Sequence, residues 1–192
     1  MTDNRIGLRS DNALIEAISI GDRNAMQELF RRRNVQIFRF VIHLLNDANV
    51  AEDIVSEVFL DVWRHAGQFE GRSQVATWML SIARFKALSD RRRRHDAQLD
   101  ELVAESIPDD SDTPETAALK TDRSTQLRLC LKQLSREHRE IIDLVYYHEK
   151  SIEEVAKIVH VPINTVKTRM FYARKRLAQL LSAYKDFCHE AA

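Results

Sequence analysis

Apolar residues recur at helical spacing through most of the chain, and the pattern breaks in one place. Leu14, Ile15 and Ile18 form a short stripe within 10–20. Met26, Leu29, Phe30, Ile37, Phe38, Val41 and Leu45 continue it through 22–46. Ile54, Val55, Val58, Phe59 and Val62 mark a third helix over 49–66, and Trp78, Ile82 and Phe85 a fourth over 73–94. Spacings of three and four residues put each set on one face of a helix. Asp22 is a fitting N-cap for the second helix, and Gly67 a fitting stop for the third. The stripe it shares with Ile82 and Phe85 assigns Trp78 to the core. A polar loop over 68–73, containing Gly71, separates the third helix from the fourth.

Over 95–114 the periodicity stops. This stretch holds Pro108 and Pro114, two of the chain's three prolines, and too little apolar surface to offset the entropy of ordering it. It reads as a tether. Helical spacing resumes over 115–133, and a further helix begins at the capping-box-like SREH and carries Ile141, Ile142 and Val145. The expected fold is therefore all-α: one helical domain over 1–94, an acidic flexible linker over 95–123, and a second helical domain over 124–192. A chain of 192 residues with four glycines and three prolines agrees with few turns and no sheet.

The C-terminal unit contains the most specific local pattern. Ser151 caps a short helix and Glu154 completes a capping box. Val155, Ala156 and Val159 give that helix an apolar face. Pro162 restricts Val161 to extended backbone and suits the first turn of a new helix. Two helices joined this closely form a helix-turn-helix. At about 100° per residue, Val166, Met170, Ala173, Leu177 and Leu180 share one side of the second helix. Asn164, Lys167, Thr168, Phe171, Tyr172 and Lys175 share the other, with Arg169, Arg174 and Arg176 on the flanks. An apolar anchoring face opposite a polar one is what a helix in the major groove needs. Lysine and threonine bond base edges, an aromatic ring meets a thymine methyl, and flanking arginines suit phosphates.

Charge changes the picture only when read locally. The formal net charge is zero, yet 163–180 has bases and no acid, 46–63 has acids with no lysine or arginine, and 96–122 is crowded with acids against Lys120 alone. The fourth helix ends in RRRR, a run able to attract a phosphate backbone. The loop before it, bounded by Phe69 and Trp78, is suited to receiving an unstacked base. On the third helix Asp53, Ser56, Glu57 and Leu60 lie opposite the apolar stripe, and a leucine flanked by acids fits docking on a basic helix. Separate blocks of opposite sign suggest separate partners for separate surfaces.

Cys130 and Cys188 form no CxxC pair, so a disulfide framework is not expected. No signal peptide and no apolar run of membrane-spanning length is expected, which favours a cytoplasmic protein. The seven histidines show no HxxxH pair, and no nucleophile elbow, phosphate loop or zinc signature occurs. Neither an enzyme nor a metal or cofactor is expected.

With these residues in view, NDANVAEDIVSEVFLDVWRHAGQF and TWMLSIARFKALSDRRRR resemble conserved region two of the extracytoplasmic-function sigma factors. LKQLSREHREIIDLVYYHEKSIEEVAKIVHVPINTVKTRMFYARKRL resembles their region four. The resemblance covers about 10–94 and 124–181. It implies a subunit that binds core RNA polymerase and directs promoter-specific initiation, commonly under an anti-sigma protein. It also implies docking on the clamp helices of the polymerase largest subunit through Asp53, Ser56, Glu57 and Leu60. The melted minus-ten element would be engaged through Gly71, Arg72, Ser73, Gln74, Arg84, Lys86, Arg91, Arg92 and Arg93. The duplex minus-thirty-five element would be read through Thr165, Lys167, Thr168, Arg169, Phe171, Tyr172, Arg174 and Lys175. Three positions depart from the family pattern: Ser56 stands where glutamine is usual, Phe85 where asparagine is usual, and His160 where glycine is common. From the residues alone, two other readings stay open: an autonomous helix-turn-helix regulator that dimerises on palindromic sites, and an adaptor that binds only proteins.

Overall fold

The computed structural model describes residues 9–101 and 121–190, with side chains described over 9–94 and 127–182. Most of the tether reading falls on 102–120, outside the described residues. Four helices build the N-terminal module: α1 (Asp11–Ser19), α2 (Arg23–Leu45), α3 (Ala48–His65) and α4 (Val75–Glu101). A 3-10 turn at Ala66–Gln68 follows α3. The C-terminal module comprises α5 (Thr121–Lys132), α6 (Arg136–Tyr146), α7 (Ile152–Val159) and α8 (Ile163–Glu190). Among the described residues the all-α expectation holds.

Local chemistry sets the boundaries. The Asp22 carboxylate accepts hydrogen bonds from the backbone N–H groups of Asn24 and Ala25 at 2.9 and 3.1 Å, satisfying two donors at the start of α2 that have no partner within the helix. Asp47 does the same for α3 through Val50 N–H, so that helix begins one residue earlier than its apolar stripe suggests. Ser151 and Glu154 form the expected reciprocal capping box at α7. Helix α3 ends at His65, before Gly67, because the 3-10 turn tightens its end. At its C-terminal end α4 runs to Glu101, beyond the expected stop at Arg94.

The core of the N-terminal module joins Leu14, Ile15 and Ile18 of α1 to Leu29, Ile37, Phe40 and Val41 of α2, with Val58 and Val62 of α3 and Met79 and Leu80 of α4. Each such side chain contributes about 1.5–3 kcal/mol on burial. Phe40 is the largest fully buried side chain, and removing its ring would cost about 3–5 kcal/mol. The fourth helix corrects the sequence reading. Its buried seam is Ala76, Met79, Leu80, Ala83 and Ala87, Trp78 and Ile82 are half-buried, and Phe85 is 71% exposed.

The two modules pack against each other, α4 on α7 and α2 on α6. His43 Nδ1 lies 2.6 Å from an Asp143 carboxylate oxygen, and the His148 ring meets Phe40 edge-on at 5.5 Å between centroids. No described helix is long and apolar enough to cross a membrane.

Candidate nucleic-acid and polymerase interfaces

In the C-terminal module α7 and α8 form the helix-turn-helix. The turn is closed by His160, whose backbone is left-handed at φ 55° and whose N–H donates to Ala156 C=O. Glycine would suit this position, because it bears no Cβ to clash in that conformation. Val166, Met170 and Ala173 bury one face of α8. The opposite face is open. Lys167, Thr168, Arg174 and Lys175 are exposed, Phe171 is 62% and Tyr172 53% exposed, and Thr165 and Arg169 are half-buried at its edge. The rings of Phe171 and Tyr172 meet edge-to-face at 5.4 Å. The Arg174 guanidinium sits 5.7 Å from the centre of the Tyr146 ring, a cation–π contact that orients it from α6. The Thr168 hydroxyl donates to Asn164 C=O, leaving its oxygen free to accept.

On α3, Asp53, Ser56, Glu57 and Leu60 share the solvent face as expected, with Leu60 45% exposed. Ser56 turns its hydroxyl back to donate to Glu52 C=O at 3.1 Å. Glu57 is drawn toward α4, where Lys86 Nζ lies 3.2 Å from Glu57 and 2.8 Å from Asp61. Burial alone would push the Lys86 ammonium down, but the hydrogen bonds it donates to Asp61 and Glu57 outweigh it and hold the pKa above its ordinary value.

The expected minus-ten residues have different surroundings. Gly71 adopts a left-handed backbone at φ 69°, so a side chain there would be strained whatever the space around it. Arg72 pairs with Glu70, and its carbonyl accepts from Lys157 Nζ at 2.8 Å. Ser73 is half-buried, and the Gln74 side-chain oxygen lies 3.5 Å from Lys150 Nζ. Arg84 is held by both oxygens of Glu140, at 2.5 and 3.3 Å, in a pair with little access to solvent. Arg93 pairs with Asp90 at 2.8 Å, whereas Arg91 and Arg92 are exposed.

Sequence reasoning missed the groups that hold the modules together. The Thr77 hydroxyl donates to Glu154 at 2.5 Å, and Lys150 donates to the same carboxylate at 3.1 Å. Burial would raise the Glu154 pKa, but hydrogen bonds from Thr77, Ser151 N–H and Lys150 bring it below the usual range. Asp143 follows the same logic: burial opposes ionisation, and His148 and His43 more than restore it. One faint signal was present in the sequence. Glu140 and Asp143 lie three residues apart in the same helix as the apolar Ile141, Ile142 and Leu144, and all five are buried.

No group of metal-ligating side chains occurs among the described residues. The open basic face of α8, the acidic face of α3 and the basic end of α4 define a two-module helical protein with separate basic and acidic surfaces. Family comparisons agree: Sigma-70 region 2 matches residues 24–97, and Sigma-70, region 4 matches residues 124–177. The chain belongs to the sigma-70 family, as an RNA polymerase sigma factor of the extracytoplasmic-function type. It is 27% identical over 180 residues to RNA polymerase sigma-H factor of Pseudomonas aeruginosa, covering 89% of this chain and 93% of the relative. It is 28% identical over 179 residues to ECF RNA polymerase sigma factor SigK of Mycobacterium bovis, covering 91% and 95%. Among solved structures it is similar to the sigma factor RpoE in complex with the anti-sigma factor NepR from Bartonella quintana. That match has a TM-score of 0.66 and 26% identity, over 81% of this chain and 96% of the other. CnrH in complex with the cytosolic domain of CnrY shares the fold, with a TM-score of 0.67 at 20% identity over 91% and 99%.

Proposed function

We propose that the two modules divide promoter recognition between them while both are held by core RNA polymerase. In this reading residues 1–94 dock on the clamp helices of the largest subunit through Asp53, Ser56, Glu57 and Leu60. The same module engages the melted minus-ten element through 71–74, Arg84, Lys86 and 91–93. Residues 124–192 read the duplex minus-thirty-five element through Thr165, Lys167, Thr168, Arg169, Phe171, Tyr172, Arg174 and Lys175, and 95–123 links the two. The observation that carries this reading is the α8 face. Exposed lysines, arginines and two aromatic rings stand on a helix whose other side is anchored by Val166, Met170 and Ala173. A sigma factor is an initiation factor and not itself a catalyst; we assign this chain no catalytic step and no cofactor, and a place in the cytoplasm.

The likeness to RpoE bound by NepR supports an anti-sigma partner for this chain as well. It also draws attention to the inter-module contacts. Arg84 and Gln74, two residues proposed for the minus-ten strand, are bonded here to Glu140 and Lys150 of the C-terminal module. Engagement of the melted strand by these groups requires the modules to part.

Transcription by purified chain and core polymerase on a promoter library tests the proposal. Enriched start sites sharing one minus-ten and one minus-thirty-five element are the expected result. A chain that binds duplex tightly as a dimer and supports no initiation would refute it. Leu60→Lys tests the docking face separately: polymerase affinity should fall at least tenfold, as for loss of an apolar contact at an interface centre, with the helicity of the chain unchanged.

A further inference from the structure

Of the four arginines at 91–94, two are neutralised within their own module: Arg93 by Asp90, and Arg94 by Asp47 and Asp90. The other two, Arg91 and Arg92, have no carboxylate partner among the described residues. They line a cleft of about 280 Å³ with Leu88 and, from across the module boundary, Arg136 at the start of α6. The Nη2 atom of Arg136 is buried without a hydrogen-bond partner. Two acids of α6 lie near it: Glu140, already bonded through both oxygens to Arg84, and Glu137, which makes no hydrogen bond to Arg136. Burial, and then the charge of Arg91, push the Arg136 pKa down, as expected for a guanidinium that lacks its anion. The buried Nη2 donor is costly while it lacks a partner, and with the exposed Arg91 and Arg92 on the same cleft it matches a tetrahedral oxyanion, which accepts several N–H donors at once.

We infer that Arg91, Arg92 and Arg136 form an oxyanion site spanning the two modules, and that its ligand is a phosphate group. The phosphate can come from a free phosphorylated molecule or from a nucleic-acid backbone led along α4 while the modules are still packed, before any engagement of the melted strand parts them. Because Arg136 belongs to the C-terminal module, an anion bound here joins the two modules directly.

Calorimetric titration of the full chain with pyrophosphate, at constant ionic strength, tests the site. Saturable binding is expected, weakened at least tenfold in Arg136→Gln and unchanged in Arg64→Gln, a control at an exposed position away from the cleft. A parallel titration with a short single-stranded DNA separates the two sources. Loss of affinity for DNA alone in Arg136→Gln assigns the site to backbone phosphate, and loss for pyrophosphate assigns it to a free ligand. If Arg136→Gln melts like the wild type and binds both probes equally well, the assignment is overturned. Equal pyrophosphate binding by all three proteins, with no DNA effect, would mean nonspecific charge attraction and would also overturn it. The pyrophosphate titration needs neither promoter nor polymerase, so failure of the promoter reading would leave its result standing.

Discussion

Helices α4 and α8 are both basic and both proposed to meet DNA, yet the fold treats them in opposite ways. On α8 the polar face carries Lys167, Arg174 and Lys175 in solvent, with the aromatic pair Phe171 and Tyr172 between them. On α4 the cations are mostly spoken for. Arg84 is bonded to Glu140, Lys86 to Glu57 and Asp61, Arg93 to Asp90, and Arg94 to Asp47 and Asp90. The difference fits what each helix is proposed to read. Duplex DNA presents its groove to a rigid exposed helix. A melted strand must first be created, and groups that bind it are better kept engaged until polymerase supplies it. Basic composition alone therefore does not measure readiness to bind DNA; the placement of the counter-charges decides it.

The largest effect should come from the exposed helix. Lys167→Ala with Arg174→Ala removes two contacts worth about 1–3 kcal/mol each. Initiation from promoters with a minus-thirty-five element should fall about a hundredfold in run-off transcription, while affinity for core polymerase is retained. Equal loss at promoters lacking that element would break the comparison.

Glu140→Gln acts on the engaged helix in the opposite direction. It keeps the shape of the side chain but removes the charge that holds Arg84, a contact worth about 1.5–3 kcal/mol. Affinity for a single-stranded minus-ten oligonucleotide should rise about tenfold by anisotropy. An unchanged or reduced affinity would mean that Arg84 is not held back by Glu140.

A smaller effect is expected from pH. His43 of the N-terminal module has its pKa raised by the Asp143 hydrogen bond across the boundary, against burial and the nearby charge of Arg39. Its contribution to module contact is full below the ordinary histidine pKa and fades as pH rises through the raised value. The Asp143 pKa is lowered, with His148 as its second partner, so its contribution is lost only in acid, as pH falls through the depressed value. Contact between the modules should weaken a few-fold from pH 6 to pH 8, and His43→Gln should remove most of that slope in a fluorescence-transfer assay.

The smallest effect is that of Phe85→Ala on the corrected core of α4, set against Leu80→Ala as a buried reference. Phe85→Ala should change stability by no more than about 0.5 kcal/mol, as at a surface position. Leu80→Ala should cost about 2–5 kcal/mol in chemical denaturation.

What the sequence made legible was what depends on near neighbours. Asp22 and Ser151 announce helix starts because a cap acts within three residues, and the α8 faces separate because one helical period fixes them. The α4 seam was misread because Ala76, Ala83 and Ala87 make close helix contacts with side chains that scarcely register as apolar, while the large Phe85 registers strongly and faces water. The exposure of the α3 and α8 faces was legible because the helical period sets it, although Lys86 reaches Glu57 and the Tyr146 ring holds Arg174 from other helices. Glu140, Asp143 and Glu154 escaped because their partners, Arg84, His43 and Thr77, lie 56, 100 and 77 residues away, a distance no local pattern spans.

The most direct test of the contrast between the helices is the distance between the modules. Spin labels at Gln68 and Glu153, both exposed, in a chain with Cys130 and Cys188 replaced, would report it by pulsed electron resonance. One short distance is expected for the free chain and a distinctly longer one once core polymerase and promoter are bound. The same short distance in a transcribing complex would contradict the claim that α4 is released by parting of the modules.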